Sequence, residues 1–141
     1  MSYIPVNLQR IVIQRAGNRC EYCGLSQIGQ EASFHIDHVI PVAADGPTID
    51  DNLALACVSC SLRKGARLAA IDPETGIEIY LFNPRKDFWL DHFRWEGVQV
   101  IGLTAKGRAT IEALKMNRSL VLSIRAEENR IGRHPPSEHL I

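Results

Sequence analysis

Apolar residues fall along this chain in short runs of changing period, and each change of period marks an element. Leu8 and Val12, with Ile11 or Arg15 beside them, recur at helical spacing and predict a helix from Pro5 to Gly17. Pro5 suits its first turn and Gly17 its stop. Residues 18–24 form a tight turn with Gly24 after the second of two cysteines, and residues 25–32 are polar, glycine-containing loop. Over 33–41 the pattern alternates, with Phe34, Ile36 and Val39 set against His35, Asp37 and His38, which predicts a strand ending at Pro41. Ala44-Asp45-Gly46-Pro47 is turn chemistry, and residues 52–56 give the return strand. A helix is predicted from Val58 to Ala70, carrying Ser61, Arg63, Lys64 and Arg67.

Further on, a turn over residues 72–76 leads into a strand, and residues 83–87 form another turn before the short segment Phe88–Phe93. Residues 95–102 read as a hairpin around Glu96-Gly97. Thr104 caps a helix running to Met116, with Asn117 at its end. A last helix spans Ser119–Arg130, with Leu120, Val121 and Ile124 on its inner side. The stretches expected are a core at 1–70, an extension packed on it at 71–131 and a flexible tail at 132–141. There is no internal repeat. His92, with Trp89 and Trp95, reads as packing, and His134 and His139 as isolated tail histidines.

Composition narrows the picture. At 141 residues the chain has the size of one domain with a real core. No apolar run is long enough to span a membrane, and the first residues lack the pattern of a secretory signal. Four cysteines without an export signal favour metal binding over disulfides and place the protein in a reducing cytoplasm. The net charge is zero, which excludes a strong global field for nucleic acid. The charge is unevenly spread, however. Glu31, Asp37, Asp45, Asp50 and Asp51 precede a segment with Arg63, Lys64 and Arg67 and no acid. A basic face beside an acidic centre suits phosphate contact next to a cation; ordinary solvated faces fit the same distribution.

The cysteines form two pairs, Cys20-Glu-Tyr-Cys23 and Cys57-Val-Ser-Cys60. Each pair lies on a tight turn, so both can face one tetrahedral zinc, for which thiolates are the preferred structural ligands. The alternatives are four buried free thiols, or a redox role for one pair. The second lacks the surrounding βαβ pattern that such motifs carry. A zinc with four sulfur ligands is closed to substrate, so any chemistry lies elsewhere.

It lies in the polar cluster between the pairs. His35-Ile-Asp37-His38-Val-Ile-Pro41, Asp51-Asn52-Leu and Cys57-Val-Ser-Cys60-Ser61-Leu-Arg63-Lys64-Gly65 resemble the HNH endonuclease family in residue type, order and spacing. The resemblance runs from about Arg15 to Arg67. The run with Ile71-Asp-Pro-Glu-Thr-Gly, His92-Phe-Arg-Trp, Gly102-Leu-Thr and Gly107-Arg-Ala-Thr resembles the C-terminal extension of a subgroup of small bacterial HNH proteins.

The resemblance implies an α+β fold: a ββα-metal core with structural zinc on Cys20, Cys23, Cys57 and Cys60, plus an N-terminal helix and a C-terminal hairpin and helices. It implies a DNA endonuclease using Mg²⁺ or Mn²⁺. Hydrolysis of a phosphodiester needs an activated water, which an imidazole provides, and charge neutralisation, which a divalent cation provides. By the resemblance His38 is the general base, Asp37 a ligand of the catalytic cation, and Asn52 the residue that fixes the loop and the orientation of His38. Lys64 is implied in catalysis, and Arg63, Lys64, Arg67 and His35 in nucleic-acid contact. His35 is equally open to a packing role. The second cation ligand of the family, after the last cysteine, is usually Asn or His; here it is Ser61, a shorter neutral donor. That departure keeps a second expectation open, a zinc-stapled nucleic-acid-binding module with weakened catalysis. The expected partner is DNA, double-stranded, with no membrane. Cutting both strands of a duplex calls for two copies of such a site, hence a homodimer.

Overall fold

A computed structural model describes residues 3–137. Helix α1 (Val6–Arg15) starts after Pro5 and ends where Gly17 and Asn18 turn left-handed at φ 61° and 58°. Its inner face buries Val12, with Ala16 just beyond its end, against Leu53 and Leu55. Strands β1 (His35–His38) and β2 (Leu53–Ala56) pair antiparallel, Asp37 opposite Ala54 and His38 opposite Leu53. Helix α2 (Val58–Lys64) follows directly, so the order strand, loop, strand, helix is as expected.

Helix α2 is shorter than its predicted span to Ala70. It stops at Gly65, whose φ is +50°, and Arg67 lies on the loop beyond. Ala69–Ile71 form instead a strand, β3, paired antiparallel with β4 (Glu78–Tyr80) across the Asp72–Gly76 turn. Short helix α3 (Trp89–His92) leads into the hairpin β5 (Phe93–Glu96) and β6 (Gln99–Gly102), joined through Gly97 at φ +61°. Helices α4 (Ala105–Leu114) and α5 (Ser119–Arg130) complete the fold. Thr104 caps α4 by accepting from Gly107 N at 3.0 Å. Asn117 does not end that helix: its amide brackets Val100, accepting from its N–H and donating to its carbonyl.

The protein is α+β, with three two-stranded sheets among the described residues. Its main core is continuous from the cysteines into the extension: Cys20, Tyr22, Cys57 and Cys60 pack with Phe82, Trp89, Phe93 and Leu114. The inner face of α5 differs from expectation. Val121 is buried, Leu120 is 66 % exposed, and Arg125 and Glu128 turn inward. The spacing Val121, Arg125, Glu128 is helical, but two of its three members are polar, which hid the buried side. Part of the expected flexible tail is held. His134 is buried, bonds the Gly97 carbonyl at 2.9 Å and meets Trp95 edge-on. Glu138–Ile141, with His139, and Met1–Ser2 lie outside the described residues.

Candidate active site and metal centre

Two cysteine turns are built alike. Cys23 N–H points at the Cys20 sulfur at 3.5 Å, and Cys60 N–H at the Cys57 sulfur at 3.4 Å. Gly24, at φ +78°, turns the chain after the first pair, and α2 begins on the second. All four cysteines are buried, and their sulfurs lie within 4.8 Å of one another. Among the described residues this is the only group of three or more His, Cys, Asp or Glu side chains placed to share an ion. Four sulfurs about 2.3 Å from a tetrahedral zinc stand about 3.8 Å apart; Cys23 and Cys57 stand at 3.7 Å. Donor type, number and spacing therefore fit zinc.

Protonation supports the same reading. Hydrogen bonds from Cys20, Cys57 and Cys60 push the Cys23 thiol well below its ordinary range. Burial and its neighbours hold the Cys20 thiol well above, and the hydrogen bonds around Cys60 raise it likewise. One thiolate is easy here and four are not, unless a cation joins them. Arg125 of α5 adds positive charge nearby. Its guanidinium bonds the Cys23 carbonyl at 3.2 Å and the Val98 carbonyl at 3.0 Å, and lies 5.0 Å from the Trp95 ring centre.

The residues inside the first pair tie this centre to everything else. Glu21 accepts from Leu55 N at 2.8 Å and pairs with Arg85 of the extension. Tyr22 is buried; its backbone carbonyl takes the Trp89 indole N–H at 2.9 Å, and its hydroxyl donates to Asp37 Oδ2 at 2.9 Å.

Asp37 lies on β1 beside an open cleft of about 860 Å³, lined also by His35, His38 and Ser61. Successive strand residues face opposite ways, but β1 ends at His38, which lets Asp37 and His38 border one cleft. His35 Nδ1 and Ser61 Oγ are 2.8 Å apart. His38 Nε2 is 2.9 Å from Thr48 Oγ1, and its Nδ1 has no hydrogen-bond partner among the described residues.

Asn52 spends its whole side chain on the loop between the strands. It accepts from Ile40 N at 2.9 Å and donates to the carbonyls of Ile40 at 3.0 Å and Pro47 at 2.9 Å. Gly46 permits this closure, because a Cβ there would overlap the Ile40 carbonyl. Asn52 thus clamps the loop but makes no hydrogen bond to the His38 ring; Thr48, just past the clamped Pro47, makes that one.

Lys64 is not on the surface. It is 2 % exposed, and its ammonium sits 3.2 Å from Asp37 Oδ2 and donates to the His38 carbonyl at 3.0 Å. The lysine is packed because a seven-residue helix puts its last turn under the β1 end, and it lines a cavity on the side away from the His38 cleft. Arg63 and Arg67 are exposed but border other grooves, Arg63 beside Leu62 and Arg118, and Arg67 beside Leu68 and Lys86. The predicted basic stripe is therefore split in two, with Lys64 and Arg67 on one cavity and Arg63 on another. Burial raises Asp37 above the usual carboxylate range against the opposing pull of Lys64 and Tyr22. Its Oδ1 keeps only a 3.4 Å contact with Lys64. Ser61 and His35 line the same cleft as Asp37.

The HNH endonuclease family model matches residues 20–67. This stretch of the chain is similar to that family. No curated protein and no solved structure matches the chain. That similarity points to a nuclease or nucleic-acid-binding function for this stretch. The matched span takes in both cysteine pairs, the cleft histidines, Asp37, Asn52 and Arg67. Three residues that the sequence did not single out complete it. Tyr22 stood in plain view between two ligands; Thr48 follows the turn Gly46-Pro47; Arg125 left no signal, since its partners lie far off along the chain. No helix among the described residues is long and apolar enough to cross a membrane.

Proposed function

We propose that the protein is a metal-dependent endonuclease that hydrolyses phosphodiester bonds in DNA, with His38 as general base. The observation that carries this reading is the convergence of His38, Asp37, His35 and Ser61 on one open cleft, beside a closed four-cysteine centre. Thr48 occupies His38 Nε2, which leaves Nδ1 to take the proton of a water molecule. That water attacks phosphorus, the bond to the 3′ oxygen breaks, and a 5′-phosphate and a 3′-hydroxyl result. Asp37 and Ser61, with His35 beside them, would hold Mg²⁺ or Mn²⁺. Such a cation, when bound, polarises the phosphate and offsets charge on the departing oxygen. Asn52 is a positioning residue for the loop. Lys64 is one for Asp37, with which it pairs. The four cysteines hold structural zinc. Duplex DNA as substrate, a cytoplasmic setting and a working homodimer belong to the same proposal.

Conversion of supercoiled plasmid with Mg²⁺, with Mn²⁺ and with EDTA tests it. His38→Ala is expected to cut about 10²–10⁴-fold more slowly. Equal cleavage by the two proteins would remove His38 as the base.

One observation favours a second reading, a nucleic-acid-binding module with weakened catalysis. Ser61 is a poor ligand, and the Lys64 ammonium already offsets Asp37. Ser61→Asn separates the two readings. A large gain in cutting marks a weakened nuclease; tight DNA binding with no cutting by either form marks a binder.

A further inference from the structure

The His38 cleft has a neighbour. A second cavity, of about 390 Å³, shares one loop with it. Val39, Ile40 and Ala44 line this cavity, while Pro41, Val42 and Ala43 of the same loop line the cleft. Lys64 and Arg67 add to that side, and the remaining walls come from the extension, beyond residue 67.

Two features define what it can hold. The floor is apolar, made by Leu68 with the largely buried Leu81 and Phe82, and Tyr80 stands beside it 71 % exposed. The charged groups are unbalanced. Lys64 pairs with Asp37 at 3.2 Å and Lys106 with Asp87 at 3.0 Å, while Arg67 and Lys86 are exposed and have no ion pair among the described residues. An apolar floor gives a bare inorganic anion nothing to bond. Two free cations are wasted on a neutral apolar molecule. A flat ring joined to a phosphate satisfies both, with a face for Tyr80 and the floor and a charge for Arg67 and Lys86. The size falls within the range of small-ligand pockets.

We propose that this cavity holds one nucleotide of the substrate strand, extending the grip on nucleic acid beyond the HNH-like stretch. The assignment to a strand rests on the nuclease reading above; the affinity for a nucleotide does not. Tyr80 stacks on the base, and Lys86 and Arg67 contact the phosphate.

The test uses the full zinc-loaded chain without added divalent cation, so that nothing is cut. Binding of dAMP, deoxyadenosine, inorganic phosphate and a short single-stranded oligonucleotide is followed by NMR shift mapping and by titration. The expected result is shifts at Tyr80, Leu81 and Lys86, with dAMP bound more tightly than either of its parts and the oligonucleotide more tightly still. Tyr80→Ala weakens oligonucleotide binding about tenfold. Lys86→Gln lowers the slope of log affinity against log salt by about one. Both side chains are exposed, so both variants keep the wild-type melting temperature. The assignment is overturned if dAMP shifts only residues of the His38 cleft, if phosphate binds as well as dAMP, or if both variants bind as wild type does. Equal affinity for dAMP and oligonucleotide overturns the assignment to a strand. His38→Ala gives the separation from the nuclease reading: it leaves nucleotide binding intact even where cutting is lost. A wild type that binds here and never cuts sinks the nuclease reading and leaves the nucleotide pocket standing.

Discussion

Asp37 in the HNH-like stretch and Asp72 in the extension are both buried carboxylates beside a cation, and they are wired in opposite senses. Asp72 accepts two bonds from Arg108 at 3.0 Å, one from Glu74 N at 3.1 Å and one from the Thr75 hydroxyl at 2.8 Å. That fills the roughly four acceptor sites of a carboxylate. The Arg108 bonds hold it well below the usual carboxylate range. Asp37 has two partners, Tyr22 and Lys64, a nearly free Oδ1, and a proton affinity raised by burial. A saturated carboxylate is a structural rivet; an unsaturated one at a cleft can still take a ligand. By the same measure the extension motifs Asp72–Gly76 and Gly107–Thr110 join two elements. Arg108 ties α4 to the β3–β4 turn, and Gly107 has no Cβ because one would overlap the His92 carbonyl.

The largest expected effect breaks the symmetry between metal and rivet. Cys60→Ser removes one of four zinc ligands, and structural zinc binding is worth about 10–16 kcal/mol in small domains. The core is shared between the cysteines and Phe82, Trp89 and Phe93, so the extension loses its packing too. Metal analysis should find one zinc per wild-type chain and far less in the variant, with loss of cooperative melting. A variant that melts like wild type would show that the Asp72–Arg108 side carries the fold alone. His38→Ala comes next. Its loss in cutting is expected with an unchanged melting temperature, because the ring makes one half-buried hydrogen bond.

The sequence made the cysteine centre and the β1–β2–α2 order legible because spacing and alternation are local signals. Helix α5 was readable to its ends for the same reason. Strand β3 was not: Ala69-Ala70-Ile71 has no period, and it exists because it pairs with Glu78–Tyr80. The burial of Lys64 was also hidden. A lysine after Arg63 reads as solvated until the end of β1 is laid over α2. Resemblance located His38, but only the folded loop brings Thr48 to its ring.

A smaller effect is expected from Asp72→Asn. The variant keeps the shape but loses the ion pair, so its melting temperature should fall by several degrees with cutting retained. The pH dependence follows from the sign of the shift. A carboxyl held low in the folded state stabilises above its unfolded value, about 3.9, and loses that contribution only as pH falls through the folded value. The gap between wild type and variant should therefore stay constant from neutrality to about pH 5 and shrink in stronger acid. A gap that closes near pH 6 would contradict the depressed Asp72.

The smallest effect separates holding a base from being one. Thr48→Val keeps the size of the side chain and removes the oxygen 2.9 Å from His38 Nε2. A neutral hydrogen bond contributes about 1 kcal/mol, so cutting should slow by up to about tenfold, well short of the loss for His38→Ala. Thr48→Ser, which restores the hydroxyl, should recover most of it. The Asn52 clamp on Ile40 and Pro47 is untouched by either change, so KM and the melting temperature should hold while kcat falls. If valine costs as much as alanine at position 38, the loop rather than the ring is being disturbed. If it costs nothing, the clamp alone aims the imidazole and Thr48 merely fills space beside it.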